Sequence, residues 1–217
     1  MSNTLPALLF VGSGVALTLE LLIGGIAVGV LLGTSLAILR YMYKGICGNC
    51  IGRIVSVIRG TPLILQLSIV YFITPVLLDC KLSILATGII AFGINSSAYV
   101  SEILRAGVES LPKGQFEAAK TLEITSCYMW KDIILPQVFV NIFPAFINEI
   151  VSLLKETALI SVIGGMDIMR KSQIIAAEHY EYFTPLCLAG AYYYGLVILI
   201  EYIGQKIEKR KFYAKNS

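Results

Sequence analysis

The sequence predicts an all-α integral membrane protein with five membrane-crossing helices. Three observations carry that expectation. Of the 217 residues, 57% are hydrophobic and 14% charged, where an ordinary soluble domain carries about 25% charged residues. The mean hydropathy is +0.79. The apolar residues are gathered into stretches near the roughly 20 residues that a helix needs to cross the hydrocarbon. The same composition excludes other classes. Disordered chains are poor in apolar residues and rich in charge. Five scattered cysteines do not form a disulfide framework. A net charge of +3 is too small for a polybasic nucleic-acid binder, so the expected surroundings are a lipid bilayer and not nucleic acid.

The first apolar stretch runs over about residues 8–39, broken only by Glu20 and small polar residues. No basic residue precedes it, the first being Arg40. It is also longer than the apolar core of a signal peptide, so a retained span is expected. Gly25, Gly29 and Gly33 recur every four residues and line one face, which lets another helix come close, within the chain or from a second one. The second stretch, about 54–78, has Arg59-Gly60-Thr61-Pro62 near its start, and Pro62 should break or kink the helix there. The third, fourth and fifth cover about 82–104, 136–163 and 183–203. Residues 1–217 read as one transmembrane domain with its core at about 12–206 and a cytoplasmic segment at about 105–135.

Orientation follows from lysine and arginine. With five spans, the connections on one side hold Arg40, Lys44, Arg53, Arg59, Arg105, Lys113, Lys120, Lys131, Lys206, Lys209, Arg210, Lys211 and Lys215, 13 of the 17 basic residues. The other side holds Lys81, Arg170 and Lys171, and Lys155 lies within the fourth stretch. The bias places the N-terminus outside and the C-terminus in the cytoplasm.

The fourth stretch carries Asn148, Glu149, Ser152, Lys155, Glu156, Thr157 and Ser161. Positions 148, 152, 155 and 159 share one helical face. A charge at the bilayer centre costs about 2.5–3.5 kcal/mol on insertion scales, so these groups should face protein or water. Two readings stay open: a charge network that fixes packing, and the wall of a hydrophilic path. Glu20 poses the same question, and Gln66 and Tyr99 are polar positions of the second and third stretches that could line a path or make interhelical hydrogen bonds.

The sequence shows no phosphate-binding GxxxxGK[ST] loop and no GxGxxG. His179 is the one histidine, and it has no serine-rich elbow beside it. Cys47-x-x-Cys50 could supply two metal ligands where a closed zinc site needs four, so no metal site is expected. An internally polar membrane protein without a catalytic set reads as a conduit. The competing readings are an intramembrane enzyme using Glu20, Glu149 or Glu156, and a structural scaffold.

Between the third and fourth stretches, Pro112-Lys113-Gly114 supplies a turn and Glu117 to Leu122 a short exposed helix. The small Ala118 and Ala119 would let a partner surface approach the backbone. Leu135-Pro136 follows, where a helix can restart. With these residues, with Arg59-Gly60-Thr61-Pro62-Leu63 and with Lys155-Glu156-Thr157-Ala158-Leu159, nearly the whole chain resembles the permease subunits of bacterial ABC importers for polar amino acids. Glu117-Ala118-Ala119 matches that family's EAA loop and Arg59 to Leu63 its RGTP signature.

The resemblance implies the type I ABC importer permease fold in the bacterial cytoplasmic (inner) membrane. It implies that Glu117, Ala118, Ala119 and Leu122 belong to a coupling helix docked on a cytoplasmic ATPase dimer. The ATPase would bind ATP and Mg, so no cofactor and no enzymatic activity is expected in this chain. A second permease subunit, the same chain or a related one, would complete the path, and an extracytoplasmic binding protein would deliver the amino acid. For the path, Gln66, Tyr99, Asn148, Glu149 and Ser152 are the candidates. One position departs from the family pattern: Glu123 stands where the family has a glycine four residues after the second alanine. Either the turn is built differently, or the helix continues further.

Overall fold

The computed structural model describes residues 4–43 and 45–213; Lys44 and Lys215, counted above among the basic residues, lie outside the described residues. Those residues form helices joined by short turns. In order come α1 (Thr4–Gly12), α2 (Val15–Met42), α3 (Ile46–Gly60), α4 (Leu63–Ser68), α5 (Thr74–Leu78), α6 (Ile84–Glu109), α7 (Lys113–Thr121), α8 (Ser126–Tyr128), α9 (Leu135–Glu156), α10 (Ile168–His179) and α11 (Phe183–Tyr213). Wide π turns at Ile69–Ile73 and Met129–Ile134 join α4 to α5 and α8 to α9, and a 3-10 segment, Thr157–Ile163, follows α9.

Four helical stretches are long and apolar enough to cross a membrane: Pro6–Met42, Ile84–Glu109, Ser126–Ile163 and Phe183–Lys209. A fifth arises if Ile46–Gly60 and Leu63–Leu77, bent by 98° against each other, count as one. The second expected stretch, residues 54–78, is therefore divided: 54–60 complete α3, and a new helix begins at Leu63. The cause is Pro62. It forces Thr61 into an extended conformation (φ −108°, ψ 142°). Thr61 Oγ1 then donates back to the carbonyls of Val57 and Ile58. The fourth stretch starts earlier than expected, because the run from Ser126 is helical before Pro136 is reached. A proline in the first turn of α9 needs no amide hydrogen, and the π turn before it absorbs the misfit.

The glycine repeat of the first stretch finds its partner inside the chain. Gly25, Gly29 and Gly33 are buried in α2 against α6. A methyl group at Gly29 would lie 2.8 Å from Ser96, and one at Gly33 2.7 Å from the Ser97 carbonyl oxygen. Gly88 and Gly93 of α6 return the fit by receiving Leu21 and Val28. Apolar association gains little between helices in lipid, so close van der Waals contact of this kind does most of the holding. Around the seam Leu21, Leu67, Phe92, Leu153, Leu154 and Ile160 form the main core, all fully buried.

Glu20 lies exposed on α2. It stands 20 residues before Arg40, about 30 Å along a helix, which is about the thickness of the hydrocarbon.

Replacing Gly29 with leucine is expected to cost about 1–3 kcal/mol through overpacking of the seam, seen as a lower thermal midpoint in detergent. Gly190 of α11, where nothing lies within 4 Å of a built methyl group, should accept leucine with little change. Equal shifts at both sites would remove the seam from its central role.

Candidate functional site

The short helix α7 is fixed to the ends of α6 and α9. Leu111, Ala119, Met129, Ile134, Val138 and Ile142 form a second buried cluster, joined by Phe116, Ile124 and Trp130. The side-chain amides of Gln115 and Gln137 bond each other at 2.8 and 3.1 Å, and Asn141 donates to Ser110 Oγ at 3.1 Å. The four coupling candidates divide. Glu117, Ala118 and Leu122 are exposed, Leu122 by 72%. Ala119 is 3% exposed and packs into the cluster. Its small size lets α7 lie close to its own chain, and of the two alanines only Ala118 is exposed.

Glu123 resolves the question raised by the missing glycine. It adopts the left-handed conformation, φ 53°. Its amide donates to the Lys120 carbonyl and the Ile124 amide to the Ala119 carbonyl, both at 3.0 Å. This pair of bonds is the Schellman end of a helix, with Ile124 turning into the cluster beside Ala119. The turn is neither rebuilt nor replaced by a longer helix: a glutamate occupies the glycine's place.

Near the same end of the bundle, α2, α3 and α6 meet at Glu102. Its carboxylate accepts from Arg40 at 2.5 Å and from Arg105 at 2.7 and 3.0 Å, with Arg59 at 3.8 Å. Arg105 also pairs with Glu109. Arg59 lies over the ring of Tyr99, 5.1 Å from its centre. An open cavity of about 430 Å³ is lined by Arg40, Gly52, Ser56, Arg59 and Glu102. The sequence reading named Arg59 and Tyr99 but passed over Glu102. Its i,i+3 spacing to Arg105 was visible, whereas the pairing with Arg40 requires the fold.

The path candidates separate in the same way. Gln66 is fully engaged: its amide nitrogen donates to the Ile58 carbonyl (2.7 Å), the Thr61 carbonyl (3.2 Å) and Thr61 Oγ1 (2.9 Å). Its oxygen accepts from Asn95 at 3.2 Å. Gln66 closes the end of α3 and holds the bend. Tyr99 is half-buried under Arg59. Glu149 is half-buried and accepts from Ser96 at 2.7 Å. On α9, Asn148 and Lys155 are exposed and Ser152 half-buried, which leaves a polar stripe facing outward. Among the described residues no ion pair joins Glu149, Lys155 and Glu156 to one another.

At the opposite end, Asp167 is fully buried. It accepts from the Arg170 amide at 2.9 Å and from the Tyr193 hydroxyl at 2.9 Å, thereby capping α10 and tying it to α11. Burial pushes its carboxyl above the usual carboxylate range, opposed by the hydrogen bonds from the Arg170 and Met169 amides and from Tyr193. Gly14 lies against the backbone of Asp167 and Ile168, where a side chain would clash. The described residues contain no group of three or more His, Cys, Asp or Glu that could hold a metal ion.

The model of the family described as binding-protein-dependent transport system inner membrane component matches residues 7–213. The chain belongs to that family. This inner membrane component is 45% identical over 210 residues to the putative glutamine transport system permease protein GlnP of Rickettsia typhi, covering 94% of each chain. It is 41% identical over 209 residues to the arginine transport system permease protein ArtQ of Bacillus subtilis, covering 96% of this chain and 95% of the other. Among solved structures it resembles a crystal structure of an amino acid ABC transporter with histidines. There the identity is 35% and the TM-score 0.85, over 93% of this chain and 94% of that one. A methionine ABC transporter, MetNI, shares the fold at 19% identity and a TM-score of 0.72, over 97% of this chain and 99% of that one. The all-helical type I permease fold is therefore that of this chain.

Two outcomes test the local geometry. A left-handed glutamate costs about 1–2 kcal/mol, so Glu123→Gly should gain about 0.5–1 kcal/mol once glycine's greater chain entropy is subtracted. A higher unfolding midpoint would record it. Gln66→Leu should lower that midpoint by the equivalent of about 1–3 kcal/mol, because the Thr61 carbonyl loses its donor from Gln66, the Ile58 carbonyl keeps only Thr61 Oγ1, and Asn95 loses its acceptor.

Proposed function

We propose that this chain is the transmembrane permease subunit of an ATP-driven importer that moves a polar amino acid across the cytoplasmic membrane. The observation that carries the reading is α7. It is a short helix with Glu117, Ala118 and Leu122 turned outward, yet its other face is locked onto two membrane-crossing helices. That is the form required of a lever whose outer face awaits a partner. The partner of this reading is a cytoplasmic ATPase dimer, which would hold ATP and Mg, while the permease itself performs no chemistry.

The gathering of Arg40, Arg59 and Arg105 at the α7 end supports a cytoplasmic α7, and hence an outside N-terminus and a cytoplasmic C-terminus. The outward polar stripe of α9 supports a path shared with a second permease subunit, since Asn148, Ser152 and Lys155 are costly against lipid. Tyr99 and Glu149 adjoin it and Gln66 serves as its fixed support. Mixed donors and acceptors suit a substrate with both an ammonium and a carboxylate group, in line with the glutamine and arginine named for the relatives. An extracytoplasmic binding protein would deliver it. An intramembrane enzyme gains no support, because Glu20 is exposed on α2 and Glu149 is bonded to Ser96.

The test is purification of the tagged chain in mild detergent, followed by mass spectrometry of what accompanies it. A stoichiometric ATPase is expected, retained about tenfold less well after Glu117→Lys or Ala118→Trp, a loss of about 1.4 kcal/mol. Asn148→Leu should retain the ATPase and lose uptake. Full uptake by the Glu117→Lys variant would overturn the coupling assignment.

A further inference from the structure

The helix α3 is left without a role by the transport reading, and it has three distinct faces. Gly48 and Val55 are buried toward the bundle. Gly48 lies against the Tyr43 carbonyl and Val55 is 1% exposed. At 3.6 residues per turn, Ile46, Cys47, Cys50, Ile54 and Val57 fall within a sector of about 100°. All five are exposed, Ile46 by 89% and Val57 by 63%. Asn49, Arg53 and Ser56 fill the neighbouring sector and are exposed as well. A helix that is apolar on a face its own protein does not cover, with basic and polar residues beside it, suits the boundary between water and acyl chains.

Its position agrees. α3 begins just past the end of α2, and Arg40 and Arg59 both reach Glu102 in the last turns of α6. With 15 residues it is about 22 Å long, too short to cross about 30 Å of hydrocarbon. It then turns by 98° into the apolar Leu63–Leu77. It therefore lies across the ends of the crossing helices. Its exposed face continues the exposed apolar surface of Ile38, Leu39 and Met42 on α2 and of Leu65 and Phe72 beyond the bend. From Arg40 to Leu78 the sequence holds four basic residues and no acidic one. Arg53 is exposed, and none of the ion pairs among the described residues includes it.

We propose that α3 is an in-plane membrane anchor, with its apolar face in the acyl boundary of the leaflet on the α7 side and Arg53 selecting anionic phospholipid headgroups. Cys47 and Cys50 then act as small apolar residues completing the lipid face, which accounts for the CxxC spacing without a metal.

The test uses the full-length chain, purified with whatever subunits accompany it, in a background where Cys80, Cys127 and Cys187 are serine. Bimane on Cys47 or Cys50, in vesicles of phosphatidylcholine and phosphatidylglycerol, should be quenched by acyl-brominated lipid. An unquenched label, with the unlabelled Cys47 and Cys50 reacting with a water-soluble maleimide at the rate of a free thiol, would overturn the anchor. So would ready disulfide cross-linking of Cys47 between copies, which would place a second chain on this face. In a second measurement, the ratio of phosphatidylglycerol to phosphatidylcholine retained on the detergent-purified protein should fall about fivefold in Arg53→Gln, as for loss of one surface cation. Arg53→Lys should restore it. An unchanged ratio in Arg53→Gln would overturn the headgroup assignment, and inorganic phosphate should not compete.

Discussion

The close approach of α2 and α6 is the constraint on which the other arrangements rest. Gly29 and Gly33 meet Ser96, Ser97 and Val100 with no room for a methyl group, Gly25 lies tight against Phe92, and α6 returns the fit at Gly88 and Gly93. Once the two backbones are this near, Glu102 of α6 comes within reach of Arg40 of α2. The core residues Leu153, Leu154 and Ile160 then close over the seam. α7 follows directly from the end of α6, so its height and direction are inherited from the same pair of helices.

Polar groups in this chain divide by how they are satisfied. Thr61, Gln66, Asn95 and Ser96 are paired within the bundle and hold its shape. Asn148 and Lys155 are turned outward on an apolar scaffold. In water that difference would mean little. In lipid, where insertion of a single charge costs about 2.5–3.5 kcal/mol, it separates groups satisfied inside the bundle from groups whose cost must be met from outside it.

The helical class, the glycine face and the break at Pro62 were legible in the sequence, because each depends on local spacing or on a single residue's covalent limits. The fate of Gln66 was not, since its four bonds join residues brought together by the bend itself. Ala118 and Ala119 look alike as letters, but 100° of helical rotation exposes one and buries the other. Glu102 was missed because a single acid among apolar residues shows no periodicity, and two of its three arginines lie 62 and 43 positions away. Glu123 was legible as an anomaly. Its resolution, a left-handed glutamate, needed the backbone.

The mounting of α7 also fixes how the molecule handles force. Its inner face is packed into the ends of α6 and α9 and latched by the Gln115–Gln137 pair, so there is no slack between the short helix and the long ones. α6 has 26 residues and is about 39 Å long. Displacing its α7 end sideways by about 3 Å therefore tilts the whole rod by roughly 4° if the far end stays pinned. At the opposite end of the bundle, Asp167 bonds the Arg170 amide and Tyr193 and so ties α10 to α11. A small sideways displacement at the α7 surface would therefore be felt along the whole of α6 as a change of tilt.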